Sequence, residues 1–281
     1  MQRRDFLRTA LGAVAGGALL PRLAGAEWAG AGRAGSLGPI GIQLYTVRRE
    51  MAKDVESTLA TIAQIGYREV EFAGLFNHPA RDVRAMLDRH GLAAPSSHVG
   101  LPDDMAAWPA MLDDALTLGQ SYIICPSFPS RDLSPDGMQR IAARFNAAGA
   151  AAKKAGLRFG FHNHAEEFKP VDGQVPYDTL LAECDPSLVV FEIDVYWMLS
   201  GGRDPLAYLA RYPGRFPMIH AKGRAADGTM TDVGSGTVDW PTLLRAFKRA
   251  GLQHCFVEHD NPPDPYASAR ASFAYLNRLT F

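Results

Sequence analysis

The chain has 281 residues, 29 Lys+Arg against 30 Asp+Glu for a formal net charge of −1, and 47% hydrophobic residues. This near-balance, with no basic block beyond the first residues, excludes a surface built for nucleic acid or an anionic membrane. Cys125, Cys184 and Cys255 lie far apart in apolar stretches, so buried free thiols are expected rather than a disulfide framework.

The opening, MQRRDFLRTALGAVAGGALLPRLAGA, has a charged start, a small-residue apolar run and Ala24-Gly25-Ala26. It reads as a signal peptide over residues 1–26. Arg3-Arg4 followed by Asp5-Phe6-Leu7-Arg8 resembles the twin-arginine export motif, which a receptor for folded proteins reads. The apolar run from Ala10 to Leu20 is too short to span a bilayer. The expectation is cleavage after Ala26 and a periplasmic or otherwise exported protein, with the twin-arginine export machinery as a partner and no stable membrane anchor. Residues 27–39, EWAGAGRAGSLGP, read as a flexible lead-in. The remaining stretch, 40–281, is the size of one barrel domain of eight βα units.

From Ile40 short apolar runs alternate with amphipathic segments, the pattern of βα units on a parallel sheet. The first strand is IGIQLY, and its helix carries Val55, Leu59, Ile62 and Ile65 before Gly66. EVEFAG is the second, with a helix from Ala80 to His90. LAAPSSHVG is the third and delivers His98 ahead of a helix from Asp104 to Leu118. SYIICPS is the fourth, before a long helix from Ser134 to Ala155 that closes at Gly156. The fifth, within LRFGFHNHAEEF, places Gly160, His162 and His164 on one face and Phe159 and Phe161 on the other. A helix from Tyr177 to Glu183 follows. LVVFEID and a helix from Pro205 to Arg211 come sixth. FPMIHAK is seventh, with a polar loop from Gly223 to Val238 and a helix from Trp240 to Arg249. CFVEH is eighth, and a helix from Pro265 to Leu279 closes the chain. Doubly wound sheets alternate in the same way, but eight regular units favour an α/β (β/α)8 TIM barrel with its site at the C-terminal strand ends.

Polar residues fall at those ends: Gln43, Glu71, His98, His162, His164, Asp194, His220, Lys222 and Glu258. Asp194, His220 and Glu258 give two carboxylates and an imidazole from three successive strands. That mixed oxygen and nitrogen set suits a divalent ion, Mn2+ first and Mg2+, Co2+ or Zn2+ as alternatives. His162 is placed to be a fourth ligand, with His164 or Glu167 as competitors. An ion held there polarises a bound oxygen, and a carboxylate beside it can act as a base. Glu258 is the first candidate base and Glu167 the second. Lys222 lies two residues beyond His220 on the same face, placed to neutralise an oxyanion, hold a hydroxyl or form a plain salt bridge. His98, His164 and Glu71 are candidate substrate contacts, and Trp197 with Tyr196 a candidate apolar floor for a bound ring. Asp232 lies in a glycine-containing loop beside the rim that has no Walker pattern, and His259 and Asp260 are candidates to orient ligands.

GIQLYTVR, GYREVEFAG, FGFHNHAEEF, EIDVYW, IHAKG, TDVGSGTVDW and FVEHDNP, spread from Gly41 to Pro262, together resemble the sugar phosphate isomerase/epimerase family, specifically an exported branch of it. These are xylose isomerase-like barrels that include sugar epimerases, hydroxypyruvate isomerase, inosose isomerase and inosose dehydratase. The resemblance implies metal ligands at the ends of strands five to eight, commonly Glu, Asp, His and Glu. Asp194, His220 and Glu258 match the last three, and His162 stands where the strand-five Glu belongs. In the epimerases the strand-five and strand-eight carboxylates act on opposite faces of the substrate, so this histidine puts the two-carboxylate mechanism in question. The activity the resemblance implies is a metal-dependent isomerase or epimerase of an unphosphorylated keto-sugar or related polyol, in which the ion stabilises the enediolate formed when the proton α to a carbonyl is removed. A lyase or dehydratase acting on an inosose or a 3-keto-glycoside shares the first step and is the alternative, and a non-catalytic sugar-binding barrel is a third reading. A metal-dependent endonuclease on the same barrel would need more ligands and a basic groove. The sequence leaves open whether the protein forms a homo-oligomer.

Overall fold

The structure, a computed structural model, describes residues 36–281. The expected signal peptide, Arg3-Arg4 and the first part of the lead-in lie outside the described residues. The last part of the lead-in is packed rather than loose: Leu37 is buried in the main core, and Lys248 donates to the Ser36 carbonyl.

Eight parallel strands form one sheet: β1 (Gly41–Gln43), β2 (Glu69–Phe72), β3 (Ala93–Ser97), β4 (Tyr122–Cys125), β5 (Arg158–His162), β6 (Val189–Asp194), β7 (Met218–Ala221) and β8 (His254–Val257). Their order is β3-β2-β1-β8-β7-β6-β5-β4. The two ends meet where His98 bridges Ile124 and Val99 N donates to Ile124 O at 2.8 Å, which brings the sheet round into a barrel. Among the described residues, eight helices of seven residues or more surround the sheet: α1 (Val55–Ile65), α2 (Ala80–His90), α3 (Trp108–Thr117), α4 (Pro135–Ala155), α5 (Pro176–Glu183), α6 (Pro205–Arg211), α7 (Trp240–Arg249) and α8 (Pro265–Arg278). No helix among the described residues is long and apolar enough to cross a membrane.

Local chemistry sets these boundaries. In α7 the Asp239 side chain accepts from Thr242 N at 3.1 Å, and Trp240, Leu243, Leu244 and Phe247 bury one stripe. Helix α4 starts from a Ser134 cap and ends at Gly156 with φ 90°, a left-handed conformation that glycine adopts without steric cost. Strand β1 is shorter than the apolar run suggests. The Gln43 side chain accepts from Tyr45 N at 3.1 Å and turns Leu44–Val47 into a 3-10 helix, taking Leu44 and Tyr45 out of the strand. The polar loop after β7 carries a two-residue ribbon, Gly223–Arg224 against Met230–Thr231.

Strand alternation divides the interior from the helix layer. Phe159 and Phe161 point outward, each ring 5.3 Å from Phe145 of α4. Tyr122, Ile124, Val190, Met218 and Phe256 form a small separate apolar cluster from four strands, and Gly160 lies against it. A Cβ at Gly160 would come within 2.6 Å of Ile124 Cδ1 and 3.0 Å of Val190 Cγ2. One pleat nearer the mouth, the inward positions are no longer the bulky aliphatics usual in such barrels. They are Gln43, Glu71, Ser96, His162, Glu192 and His220, all buried. Cys125, Cys184 and Cys255 are buried free thiols.

Candidate active site

A cavity of about 430 Å³ opens at the C-terminal strand ends, lined by Tyr45, Ala73, His98, Pro126, Ser127, His162, His164, Lys222, Glu258, Asp260 and Asn261. Its volume suits a small-molecule ligand. Arg48 ties the first loop to the last, donating to Asp260 O at 2.6 Å and to Asn261 Oδ1 at 2.7 Å, with its guanidinium 3.9 Å from the centre of the Tyr45 ring.

The outer part of the site is built round Lys222. Its ammonium lies 2.7 Å from Asp260 Oδ1, 2.8 Å from Glu258 Oε2 and 3.0 Å from Asp194 Oδ2. Burial disfavours the lysine charge, and these three carboxylates outweigh it and raise its pKa. Burial likewise opposes the charge on Glu258, but Lys222 and His220 hold its carboxyl well below the usual range. Burial pushes Asp194 up to about 6, with Lys222 and His220 pulling the other way. Its Oδ1 caps the short helix Val195–Ser200 by accepting from Trp197 N at 2.8 Å, whereas Oδ2 faces Lys222 without a well-formed hydrogen bond. Asn163, to which the sequence assigned no role, grips the Asp194 backbone: its Oδ1 accepts from Asp194 N at 3.1 Å and its Nδ2 donates to Asp194 O at 3.3 Å.

The inner part is centred on Glu192, two residues before Asp194 and therefore on the same strand face, one pleat deeper. His98 Nε2, His162 Nδ1 and His220 Nε2 lie 3.0, 3.2 and 3.1 Å from Glu192 Oε2. Glu71 Oε2 is 2.6 Å from His220 Nε2 and accepts from Gln43 Nε2 at 2.9 Å, while Glu71 Oε1 accepts from Ser96. His220 turns its other nitrogen, Nδ1, to Glu258 Oε2 at 2.7 Å. Burial works against charge on Glu192, and the His220, His162 and His98 rings hold its carboxyl well below the usual carboxylate range. Burial also opposes the imidazolium form of His220, but Glu192, Glu71 and Glu258 raise it well above the ordinary value. His98 moves up against burial because of Glu71 and Glu192. Burial and the His220 ring drive His162 well down.

Two overlapping donor sets fit a divalent ion by chemistry. Asp194, His220 and Glu258 form one; His98, His162, Glu192 and His220 form the other, the ligand atoms of each set lying within 4.8 Å of one another. Of the fully buried carboxylate oxygens, Glu192 Oε1 has no hydrogen-bond partner, and Asp194 Oδ2 has the Lys222 ammonium at 3.0 Å without a well-formed hydrogen bond. Glu192 was missed in the sequence because it sits inside an apolar run, although its spacing from Asp194 was a usable signal.

The other expected residues fall in different places. His164 lines the cavity, and burial followed by Lys222 lowers its pKa, so it is a neutral imidazole at neutral pH. Glu167 stands behind it, accepting from His164 N at 2.9 Å, and faces a neighbouring cavity with Ser127, Phe128 and His164. Burial raises the Glu167 carboxyl to about 7. Glu71 does not line the mouth cavity; it buttresses His220 from within. Trp197 lies behind the cavity wall, its ring 5.8 Å from that of His164 and 5.7 Å from Lys222 Nζ. Tyr196 is turned to the loop after β7, donating to Gly228 O at 3.2 Å. Asp232 accepts from Ser268 on α8, and His259 N donates to Thr46 Oγ1 at 3.1 Å.

Residues 59–279 match the family described as a xylose isomerase-like TIM barrel. An inosose dehydratase of Geobacillus kaustophilus is 23% identical over 269 residues, covering 80% of this chain and 87% of that protein. The crystal structure of a sugar phosphate isomerase/epimerase from Parabacteroides distasonis superposes with a TM-score of 0.75 at 28% identity, covering 87% of this chain and 94% of the other. A 3-keto-D-glucoside 4-epimerase from E. coli shares the fold, with a TM-score of 0.67 at 18% identity over 86% of this chain and 99% of its own.

Proposed function

The chain belongs to the xylose isomerase-like TIM barrel family, and from that premise we propose a metal-dependent isomerase or epimerase of an unphosphorylated keto-sugar or related polyol, exported to the periplasm. The observation that carries this reading is Glu258, a carboxylate held ionised on the wall of a ligand-sized cavity. An ionised carboxylate in that position can accept the proton α to a substrate carbonyl.

The chain's own groups divide the work. Glu258 takes the proton, and Lys222 beside it compensates the charge that moves onto the substrate. His164, neutral and on the cavity wall, carries both an N–H and a lone pair, so it can return a proton to carbon or to a leaving oxygen. Glu167 fixes the His164 backbone and, with a carboxyl near 7, is the second candidate base. His98 and Tyr45 are positioned to contact hydroxyls and the ring. A divalent ion held by the buried cluster that includes His162, Asp194, His220 and Glu258 supplies, when bound, an electrophile for the carbonyl oxygen. Lys222, the lysine on the cavity wall, already faces three carboxylates, which argues against its recognising a phosphate.

A second reading, dehydration or elimination on an inosose or 3-keto-glycoside, is favoured by His162 standing where a second acid-base carboxylate would be, and by similarity to inosose dehydratase. Both readings begin with the same proton abstraction. Incubation of metal-loaded protein with ketohexoses, inososes and 3-keto-glycosides in D2O, followed by NMR, tests them. Deuterium entering retained substrate or an epimer supports the first, and exchange coupled to loss of water or aglycone supports the second. Binding without exchange would leave a sugar-binding barrel.

A further inference from the structure

We propose a second binding site, in the helix layer beside the mouth of the barrel, that takes a compact apolar group carrying one acceptor oxygen. It lies apart from the reacting groups and needs neither a metal ion nor turnover to be occupied.

A cavity of about 120 Å³ is set between the ends of β2 and β3 and helix α3. Strand alternation puts it outside the barrel. Ser96 turns inward to Glu71, so Ser97 faces the helices, where it donates to Gln120 Oε1 at 2.9 Å. Phe72, Leu75, Val99, Met111 and Leu118 make the wall largely apolar. Its volume is on the scale of one small ring, since an apolar cavity of about 150 Å³ holds benzene.

Gln120 supplies the polar end. It is 6% exposed, and its place is fixed from the backbone: Gly119, at φ 77°, turns the chain after α3, and Gln120 N donates to Ala115 O at 3.0 Å. Ser97 holds one end of the amide. The other, Nε2, is a fully buried donor on the cavity wall with no hydrogen-bond partner among the described residues. Buried polar groups are almost always paired, so this donor points to a ligand. A water molecule is a poor candidate, because it needs two to four polar contacts. Ser97 has given its proton to Oε1, His98 turns Nε2 to Glu192 at 3.0 Å, and Asp114 stands at the exposed edge. A carbonyl, ether or hydroxyl oxygen on an apolar ring satisfies Gln120 and covers the wall together. The Asp114 carboxylate disfavours an anion.

The same chemistry can arrive from two sources. His98 lines this cavity and the mouth cavity, and Ala73 of the one adjoins Gly74 of the other. The occupant is therefore either a substituent of the sugar bound in the mouth or a free small molecule.

The test uses cyclohexanone and its isostere without the acceptor, methylenecyclohexane, titrated into the purified protein by ligand-observed NMR. Cyclohexanone is expected to bind saturably, and Met111→Trp, which fills the cavity, to abolish that binding. In Gln120→Met the preference for the ketone over its isostere is expected to fall about fivefold. A wild-type crystal soaked in cyclohexanone should place the ketone oxygen at Gln120 Nε2, a result that stands even where a variant does not fold. Lack of saturable binding, binding that survives Met111→Trp, an unchanged preference in Gln120→Met or density elsewhere would overturn the proposal. Displacement of cyclohexanone by a cyclohexyl keto-glycoside but not by a methyl keto-glycoside assigns the site to a substrate substituent, and displacement by neither assigns it to a free molecule. Displacement by both would merge it with the reaction site and overturn it as well.

Discussion

Lys222 holds its ammonium 2.8 Å from Glu258 Oε2 with 2% and 6% of the two side chains exposed. A lysine sealed in this way stays charged only because its partners are charged, and the same holds in reverse. The pair ties together the ends of β7 and β8. Through Asp194 it reaches β6 as well. One ammonium therefore sets the charge of the outer carboxylates that line or back the cavity.

Lys222→Met leaves those carboxylates buried without their cation. Removing one partner of a buried ion pair costs about 3–5 kcal/mol. Denaturant unfolding of metal-free protein at neutral pH should show a loss of that size. A loss below about 1 kcal/mol would mean that Asp194 and Glu258 are neutral or find another partner.

Glu258→Gln keeps the shape of the side chain but removes the proton acceptor. Loss of a positioned general base typically costs about 10²–10⁴ in rate. Deuterium exchange into substrate should fall by that factor while the variant retains some divalent metal. Exchange at the wild-type rate would transfer the role of base to another group, with Glu167 next.

Much of the fold was legible because its punctuation is local. Ser134, Asp239 and Asp264 cap helices at the positions where the apolar periodicity begins, and Gly66 and Gly156 end them. The ends of the strands were harder to read, since Leu44 and Tyr45 continue an apolar run that the Gln43 side chain turns aside. Depth within the barrel was not legible at all. His98, Glu71 and His220 looked like rim residues together with Lys222 and Glu258, because each closes an apolar strand. The tilt and stagger of a barrel place strand ends at different depths, so these residues divide into an inner and an outer group. Glu192 escaped notice inside VVFEID, although period-two alternation puts it on the Asp194 face.

Gly160 leaves little room in the barrel interior. A Cβ there would meet Ile124 Cδ1 at 2.6 Å and Val190 Cγ2 at 3.0 Å. Gly160→Ala should destabilise by about 1–3 kcal/mol through overpacking. Adding Ile124→Val, which removes the nearer methyl, should recover part of that loss in thermal unfolding. No recovery would place the strain in the backbone rather than against that side chain.

Export is expected to depend on the paired arginines, which lie outside the described residues. Changing Arg3 and Arg4 together to Lys keeps the charge while removing the motif. Cell fractionation should then find uncleaved protein in the cytoplasm. Unchanged periplasmic levels would point to a different route.

Glu167 gives a prediction whose sign follows from burial. Its carboxyl rises from 4.5 to about 7 in the folded protein, chiefly through desolvation. Below the unfolded value both states carry the proton and the shift has no effect on stability. Between about 4.5 and 7 the folded state holds a proton that the unfolded state has released, so stability falls as pH rises. Above that window the full penalty remains, roughly 3 kcal/mol at most at 1.36 kcal/mol per unit. Glu167→Gln retains an oxygen to accept from His164 N but carries no ionisable group. Its stability relative to the wild type should therefore be unchanged near pH 4 and should grow across this window to a plateau above pH 7, read by urea unfolding at each pH. A difference that is flat with pH would show that the Glu167 carboxyl titrates alike in both states, and would remove its claim to act as an acid-base group near neutrality.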